Sequence, residues 1–346
     1  MPKFLAGVTP DFAVEAKGLY ESQLAAKLTA AGIEWELMPE LPGNAVTPEI
    51  ADRYDAIFAL ASWFRADGVR GCRRLAAVAR WGVGYDRIDT QALTENGIAL
   101  AITPNGVRTP VAEAIFTLML AAAKNLRLQD QITRAGKWRG DLPRMGVNLR
   151  GRVLGSVGCG NIGKEMFRLA KPFGFSRLIA HDPFLTQAQV DDLGVELVPL
   201  DTVMRESDFV TVNAFLNEQT KGLIGERELR LMKPNAYFIN TARGPIVDQA
   251  ALIRLLQDRA IAGAGIDVYE TEPPPQDLPL FQLDNVIVTP HALPWTEEIA
   301  RDNSLEACDN MLAVARGEVP PGLVNKAVLD NPQFKAKLAS YEAQQV

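Results

Sequence analysis

The sequence predicts an α/β protein built from two doubly wound domains. Its 346 residues are enough for about two domains of ordinary size, and 47% of them are hydrophobic, as in a folded globular protein. From residue 152 to residue 289, short β-branched runs alternate with helical stretches, which is typical of a parallel sheet covered by helices on both faces. Residues 1–103 repeat this alternation on a smaller scale. We therefore expect two parallel sheets, with a cleft between the domains.

The smaller domain begins the chain. Its predicted strands are apolar runs at 5–8, 56–60, 75–79 and 98–102, and its predicted helix covers 19–31. The chain then enters a helix whose start is signalled by Thr109 as N-cap, Pro110 at the first helical position and Glu113 in the first turn. This helix is apolar nearly all round up to about Leu126, so we expect it to be buried.

The larger domain has six predicted strands. They lie at 152–157, 178–180, 208–212, 237–239, 262–266 and 286–288. A helix at about 296–316 comes too late in the chain to belong to this sheet, and we assign it to the smaller domain. The smaller, discontinuous domain is therefore predicted at 1–103 and 291–346, and the larger one at 104–290. Residues 331–346 are polar, and we expect a frayed tail there.

The composition argues against several classes of function. Acidic residues number 42 against 36 Lys and Arg, and the net charge of −6 is opposite in sign to a nucleic-acid-binding surface. The most apolar stretch, 114–123, is about half as long as a membrane span, and the run 4–8 is too short for a signal peptide. Three separated cysteines suggest neither a disulfide framework nor a thiolate metal site. We expect a cytoplasmic protein without membrane, nucleic-acid or metal partners.

A glycine-rich turn follows the first strand of the larger domain. Gly158, Gly160 and Gly163 stand between that strand and a predicted helix, a spacing that admits a dinucleotide pyrophosphate to the helix N-terminus. Asp182 ends the second strand about 20 residues later, where a carboxylate accepts both ribose hydroxyls and repels a 2′-phosphate. We therefore predict NAD as the cofactor. The alternative is a glycine-rich turn of a flavodoxin-like fold, with Asp182 as a helix cap.

Only two histidines are present, so a mechanism that needs histidine must use His181 or His291. His181 lies on the adenosine side of the predicted cofactor, whereas His291 follows a strand at the edge where open α/β sheets bind ligands. Arg243 follows another strand among small residues, a setting suited to bidentate recognition of a carboxylate. One further strand ends in three acids, one of which could orient the histidine: Asp267, Glu270 and Glu272. The alternatives are a structural histidine and ordinary surface charges, and we adopt the latter for Glu270.

Taken together, these residues resemble the D-isomer-specific 2-hydroxyacid dehydrogenase family, which includes phosphoglycerate dehydrogenase and glyoxylate/hydroxypyruvate reductase. The similarity covers roughly residues 78–291. The motifs that carry it are ARWGVGYDRID at 79–89, VAE at 111–113, GCGNIG at 158–163, TARGPIVD at 241–248, IDVYETEP at 266–273 and TPH at 289–291. The resemblance implies an NAD-dependent oxidoreductase that transfers a hydride between NAD(H) and a 2-hydroxy acid/2-keto acid pair.

The resemblance also implies residue roles. Arg243 would bind the substrate and polarise its carbonyl group, His291 would bind it and act as acid/base, and Glu272 would be the partner of His291. The backbone of Val83 and Gly84 would bind the substrate carboxylate. The implied cofactor contacts are Gly158, Gly160, Asn161, Ile162, Gly163, Asp182, Ala214, Thr241, Ala242 and Asp267. Two Rossmann-like domains with the active-site cleft between them are implied, as is a homodimer, whose interface we place at 112–150.

Several features leave alternatives open. The chain departs from the family pattern at 213–217, the segment that carries Ala214, and at 292–296. Four aromatic residues form either a bulky wall of the pocket or scattered core and dimer contacts: Trp63, Phe64, Trp81 and Trp295. Two other functions fit the same scaffold, an NAD-sensing binding protein of the corepressor type and the oxidation of phosphite or formate. The sequence does not name the keto acid.

Overall fold

The computed structural model describes residues 3–343, which form two compact units. The first unit comprises the residues up to 107 and those from 296 onward, and the second comprises residues 108–295. Each change of unit falls a few residues later than the sequence placed it, directly before a helix that begins at Arg108 or is N-capped by Thr296. Within each sheet all neighbouring strands run parallel, which confirms the predicted α/β class.

The first unit contributes five strands. They are β1 (Leu5–Val8), β2 (Glu34–Leu37), β3 (Ala56–Ala59), β4 (Ala77–Arg80) and β5 (Ala99–Ala101). The helices among them are α1 (Phe12–Glu15), α2 (Glu21–Lys27), α3 (Pro48–Ala51), α4 (Ala66–Val69) and α5 (Thr90–Glu95). The strands form one sheet in the order β2-β1-β3-β4-β5. This is the order of doubly wound, flavodoxin-like sheets, in which helices cover both faces.

The second unit contributes seven strands. They are β6 (Val153–Val157), β7 (Arg177–His181), β8 (Val195–Leu197), β9 (Phe209–Val212), β10 (Tyr237–Asn240), β11 (Gly263–Ile266) and β12 (Val286–Val288). The helices are α6 (Arg108–Ala123), α7 (Leu126–Arg134), α8 (Asn161–Ala170), α9 (Leu200–Glu206), α10 (Glu226–Leu229) and α11 (Gln249–Gln257). The sheet order is β12-β11-β10-β9-β6-β7-β8. This is the strand order of a Rossmann sheet with one further strand at the edge, and the sequence predicted the Rossmann class with six of these seven strands.

The chain returns to the first unit in two helices. They are α12 (Glu297–Ala315) and α13 (Pro332–Glu342). The prediction of a frayed tail from residue 331 is wrong for the described residues, because α13 buries Phe334, Lys337 and Tyr341. The ammonium group of Lys337 donates to three backbone carbonyl groups of the first unit, those of Leu75, Asn96 and Gly97. Residues 344–346 of the predicted tail lie outside the described residues.

Local differences from the predicted elements have simple causes. The sequence missed β2 and β8, which are short edge strands in which glutamates alternate with apolar residues instead of forming an apolar run. The helix predicted at 19–31 is shorter, with α2 followed by a 3-10 turn at Thr29–Ala31. The predicted N-cap Thr109 lies inside the first turn of α6, and that helix ends at Ala123, shortly before Asn125 adopts a φ of 51°.

The burial predicted for α6 is confirmed. Its buried side chains are Ala112, Ala114, Ile115, Phe116, Leu118, Met119, Ala122 and Ala123. They pack against α8, β10 and β11 in the core of the second unit. Among the described residues, no helix combines the length and the apolar character that a membrane span requires.

Candidate active site

The carboxyl edge of the second sheet collects nearly all the predicted site residues. β6 lies between β7 and β9, so the strand order reverses beside it, and ligands of open α/β sheets bind at such a point. The loops that follow β6, β7, β9, β10, β11 and β12 begin at residues 158, 182, 213, 241, 267 and 289. These six loops and the first turn of α8 carry every predicted site residue except Val83 and Gly84. The neighbouring parallel strands therefore bring together residues that are up to about 130 positions apart along the chain.

The glycine-rich turn after β6 leads directly into α8. Gly158 has a φ of 93°, and a Cβ atom there would lie 2.6 Å from the backbone N of Ala214 and the carbonyl of Asn213. A Cβ atom on Gly160 would meet nothing within 4 Å. Gly160 N-caps α8 without a side-chain hydrogen bond, and the N-terminus of a helix favours an anion. This geometry fits a dinucleotide pyrophosphate.

Asp182 lies directly beside this turn. Its Oδ2 atom accepts a hydrogen bond from the backbone N–H of Cys159 at 2.9 Å, and its Oδ1 atom accepts one from the N–H of Phe184 at 3.0 Å. Each carboxylate oxygen keeps a further lone pair for a ribose hydroxyl. The Nδ1 atom of His181 lies 3.2 Å from the carbonyl oxygen of Val198, so this ring is tied to the chain that follows β8.

The turn after β10 carries three predicted site residues. Asn240 is buried at the end of β10, where its Oδ1 accepts from the N–H of Ala242 and its Nδ2 donates to the carbonyl of Arg243. The Thr241 hydroxyl is buried and has no hydrogen-bond partner within the described chain. Because a buried hydroxyl without a partner is costly, this atom supports the prediction that a bound cofactor contacts the turn. The Arg243 guanidinium donates from Nη1 to the carbonyl of Ala242 at 2.7 Å.

His291 and Glu272 form a direct pair. Nδ1 of His291 lies 2.8 Å from Oε2 of Glu272, and both side chains are half-buried. An ionised carboxylate can only accept hydrogen bonds, so Nδ1 carries the proton that joins them and Nε2 remains for another group. His291 has a φ of 56°, the left-handed region that a non-glycine residue seldom occupies. Such a conformation persists only where the surrounding structure imposes it, and it is frequent at functional sites.

The pKa of Glu272 reports this pairing. Burial raises the pKa of the carboxyl group. This effect is outweighed by groups that lower the pKa, namely the hydrogen bond and positive charge of His291, the N–H of Tyr269 and the charge of Arg243, so the net shift is downward. Glu272 is therefore ionised near neutral pH.

Asp267 lies in the same group of loops and is almost fully buried. Its Oδ1 atom accepts from the Thr289 hydroxyl at 2.6 Å and from the N–H of Leu293 at 3.4 Å. Burial raises the pKa of Asp267, against the opposing effects of the Thr289 hydrogen bond and the His291 charge. The segments before and after His291 are thus both fastened to the loop that follows β11.

Val83 and Gly84 belong to the first unit, in the loop after β4. The side chain of Arg80 donates from Nε to the carbonyl of Gly84 at 2.8 Å. The N–H of Gly82 donates to the Thr103 hydroxyl at 2.7 Å, which fixes the start of the loop. Both predicted residues are half-buried.

Sequence reasoning missed two residues that hold this site. Asn240 directly precedes the TARGPIVD motif and Tyr269 lies inside the IDVYETEP motif, so the signal was a polar side chain in or beside a motif already singled out. The alternatives left open for two aromatic residues are resolved in favour of the core. Phe64 is fully buried in the first unit, and Trp81 is buried with its indole N–H donating to Ser304.

Comparisons with known proteins agree with this geometry. The sequence profile described as "D-isomer specific 2-hydroxyacid dehydrogenase, NAD binding domain" matches residues 116–292. A glyoxylate reductase from Korarchaeum cryptofilum is 39% identical over 292 residues, which cover 83% of this chain and 88% of the relative. The crystal structure of a glyoxylate reductase from Paecilomyes thermophila matches with a TM-score of 0.82 at 28% identity, covering 94% of this chain and 99% of that one.

A second solved structure bears on the cofactor. It is an NADPH-dependent glyoxylate/hydroxypyruvate reductase from Sinorhizobium meliloti in complex with NADP and malonate, with a TM-score of 0.81 at 26% identity. The match covers 94% of this chain and 98% of that one. The profile match extends over half of the chain, and the archaeal relative covers more than two thirds of it. This chain therefore belongs to the D-isomer specific 2-hydroxyacid dehydrogenase family, and it is a nicotinamide-dependent oxidoreductase that interconverts 2-hydroxy acids and 2-keto acids.

Proposed function

We propose that this enzyme uses NADH to reduce a small 2-keto acid to the D-2-hydroxy acid, with His291 as acid/base and Arg243 as the substrate-binding arginine. The observation that carries the proposal is the pair of His291 and Glu272, joined at 2.8 Å in the loops after β12 and β11. The charge of Arg243 acts on the same carboxylate. A histidine held by a carboxylate is suited to proton transfer, and an arginine fork is suited to a carboxylic acid substrate.

The proposed mechanism follows the charge that develops during reduction. When bound, the nicotinamide supplies the hydride. Negative charge then grows on the carbonyl oxygen of the substrate, where the Arg243 guanidinium stabilises it and protonated His291 neutralises it by donating its Nε2 proton. Glu272 keeps the ring in the orientation that leaves Nε2 available, and its charge favours the protonated form.

The second unit is the proposed cofactor-binding domain, with NAD preferred over NADP. The proposed contacts are Gly158, Gly160, Asn161, Ile162, Gly163, Asp182, Ala214, Thr241, Ala242 and Asp267. Asp182 supports the preference, because its carboxylate is held beside the glycine-rich turn and would repel a 2′-phosphate. The backbone of Ala214 packs against Gly158, which supports a place for Ala214 near the pyrophosphate.

The first unit is the proposed substrate domain. The backbone N–H groups of Val83 and Gly84 are the proposed donors to the substrate carboxylate, together with the Arg243 guanidinium, whereas His291 is proposed to contact the carbonyl oxygen. Gly82, with a φ of 121°, supports this role, because the loop needs a conformation that only glycine adopts easily. An arginine fork and two backbone donors suit a small anionic substrate better than a large neutral one.

A homodimer and a cytoplasmic location are parts of the same proposal. The proposed interface is 112–150, where α7 has no buried residue. The segment that follows α7, up to residue 150, exposes two large apolar side chains, Trp138 and Met145. Apolar side chains exposed in this way are frequent at protein–protein interfaces. The cytoplasmic proposal rests on the nicotinamide cofactor and on the odd number of separated cysteines.

The test is steady-state kinetics with a panel of keto acids. Oxidation of NADH is measured with glyoxylate, hydroxypyruvate, phenylpyruvate, phosphohydroxypyruvate and branched-chain 2-keto acids, and chiral analysis of the product reports its configuration. We expect turnover with at least one of them, a D-configured product and a higher kcat/KM with NADH than with NADPH. Equal efficiency with NADPH would overturn the cofactor assignment, and absence of turnover across the panel would overturn the proposed reaction.

A further inference from the structure

Tyr269 is a buried side chain that the mechanism above does not use. It lies in the loop after β11, between Asp267 and Glu272, and only 5% of it is exposed. Its backbone N–H donates to Oε1 of Glu272 at 3.0 Å. Its hydroxyl donates to the carbonyl oxygen of Thr289 at 2.9 Å, two residues before His291. One residue therefore holds both the carboxylate and the segment that carries the histidine.

The loop of Arg243 meets the same residue. Gly244 is buried, and a Cβ atom there would overlap the backbone carbonyl of Tyr269. The two main chains are thus in contact directly after Arg243, with no space for a side chain between them. Tyr269 is the point where the three loops that carry Arg243, Glu272 and His291 converge.

The Tyr269 hydroxyl remains protonated and can donate a hydrogen bond at every pH used in an assay. Burial, with the nearby charges of Asp267 and Glu272, raises its pKa to about 12, so it stays protonated over the whole range in which enzymes are assayed. The ring packs edge-on against Phe281, with centroids 6.0 Å apart, which fixes the direction of the hydroxyl. The bond to Thr289 therefore does not change with pH.

A second bond runs parallel to the first. The Thr289 hydroxyl donates to Oδ1 of Asp267, so Thr289 is attached to the loop after β11 through both its carbonyl and its side chain. Beyond it, His291 holds its left-handed φ of 56°. A left-handed conformation at a non-glycine residue is unfavourable, so the chain that leads into it needs such attachments.

We propose that Tyr269 is a positioning residue that sets the geometry of the His291–Glu272 pair by fastening both partners to one loop. The inference rests on the proposed function, since it assigns Tyr269 a role through that pair and not on the substrate itself. The pair itself consists of Glu272 and His291, and the other charged groups around it are Asp267 and Arg243. Tyr269 adds no charge to this group of side chains. Its effect is on distance and orientation.

The test is Tyr269→Phe, which removes the hydroxyl and keeps the ring, compared with Tyr237→Phe. Tyr237 is a buried tyrosine of the same unit that stacks on Phe209 at the opposite end of β10 from Arg243. A loosened pair stabilises the protonated histidine less. For Tyr269→Phe we therefore expect kcat for keto-acid reduction to fall about three- to tenfold, as for one lost hydrogen bond. The alkaline limb of the pH profile should move to lower pH, and KM for NADH should stay within about twofold. Tyr237→Phe should match wild type.

A double-mutant cycle separates positioning from general damage. If Tyr269 acts through Glu272, adding Tyr269→Phe to Glu272→Gln should move the pH limb no further than Glu272→Gln alone. A loss of one neutral hydrogen bond lowers Tm by only a few degrees, so the variant remains folded for the measurement. Additive shifts, or a Tyr269→Phe enzyme with wild-type kcat and pH profile, would overturn the inference. Full activity of His291→Asn would instead overturn the proposed function, whatever Tyr269→Phe does.

Discussion

The carboxyl edges of the two sheets each hold a carboxylate away from solvent, and they use it differently. In the first unit, Asp11 is buried and accepts hydrogen bonds from the hydroxyls of Thr9 at 2.5 Å and Ser62 at 2.9 Å and from the N–H of Ala61 at 2.7 Å. In the second unit, Glu272 accepts from the N–H of Tyr269 and from the ring of His291.

The difference between the two sites lies in the partners of the carboxylates. Hydroxyl and amide groups keep their protons at every ordinary pH, so the hydrogen bonds of Asp11 join the loop after β1 to the loop after β3 without involving a titratable partner. Imidazole gains and loses a proton near neutral pH, so Glu272 biases a group that can exchange protons with a substrate. The comparison teaches that a carboxylate shielded at a sheet edge influences proton transfer only when its partner is itself titratable.

Replacing the titratable partner should have the largest effect. His291→Asn removes the proposed proton donor while keeping a polar side chain, and we expect kcat for reduction to fall by at least about 100-fold. His181→Asn is the matched control, since that ring is tied to the Val198 carbonyl in the same unit, and it should retain wild-type kinetics. Full activity of His291→Asn would show that the carboxyl edge of the second sheet does not supply the proton, and the proposed difference from the first sheet would be wrong.

Arg243→Lys tests the substrate side of the second edge. Lysine keeps the charge but loses the planar fork, so kcat/KM for the keto acid should fall by more than about tenfold while NADH affinity stays nearly unchanged. Arg254→Lys, on the exposed side of α11 and paired with Glu226, is the control. An unchanged kcat/KM in Arg243→Lys would remove Arg243 from the site.

Glu272→Gln removes the charge of the pair while a hydrogen bond can persist. Reduction needs the protonated histidine, and the carboxylate favours that form, so the alkaline limb of kcat/KM should move to lower pH by about one unit. The carboxylate is present throughout that range, because the pKa of Glu272 is lowered. Glu270→Gln, on the exposed part of the same loop, should leave the profile in place. The measurement is the pH profile of reduction under conditions where product release is not limiting, and superimposable profiles would refute the pairing.

Asp182→Ala addresses the cofactor and should have a smaller effect. It removes hydroxyl acceptors and a repulsive charge together, so the ratio of kcat/KM for NADH to that for NADPH should fall by about fivefold or more. Asp192→Ala, an exposed acid in the same unit, is the control. An unchanged ratio of the two kcat/KM values would mean that Asp182 does not contact the ribose of the cofactor.

Asp11→Asn sharpens the comparison from the first unit. The amide keeps one acceptor oxygen of two and loses the negative charge, so the hydrogen bonds from Thr9, Ser62 and Ala61 are weakened or lost, and we expect the free energy of unfolding to fall by about 1–3 kcal/mol. The pH profile of kcat/KM should not move, in contrast to Glu272→Gln. Denaturant titration and the same kinetic assay measure the two quantities, and a shifted profile would mean that the first edge also contributes proton chemistry.

Most of the fold was predictable because its signals are local. Apolar runs of a few residues predicted ten of the twelve strands, and the glycine spacing with Asp182 predicted the dinucleotide turn. The edge strands β2 and β8 were missed because they are short and glutamates interrupt their apolar residues, so neither forms an apolar run. The end of the chain was misjudged for a similar reason. The polar residues of α13 include Lys337, whose ammonium group is satisfied by carbonyls some 240 to 260 residues earlier, and no local pattern reports such a partner.

The sequence by itself determined the class of the protein, its two doubly wound sheets and the residue types at their carboxyl edges, because periodicity and turn chemistry act between near neighbours. Residue chemistry alone left three acids as candidates for the partner of His291, and only the family resemblance singled out Glu272. The tertiary structure decided the geometry of that pair, the hydrogen bond from Asn240 to the carbonyl of Arg243 and the convergence of three loops on Tyr269. These contacts exist because β10, β11 and β12 lie side by side, and parallel pairing over long crossovers is a property of the folded sheet that no short stretch of sequence contains.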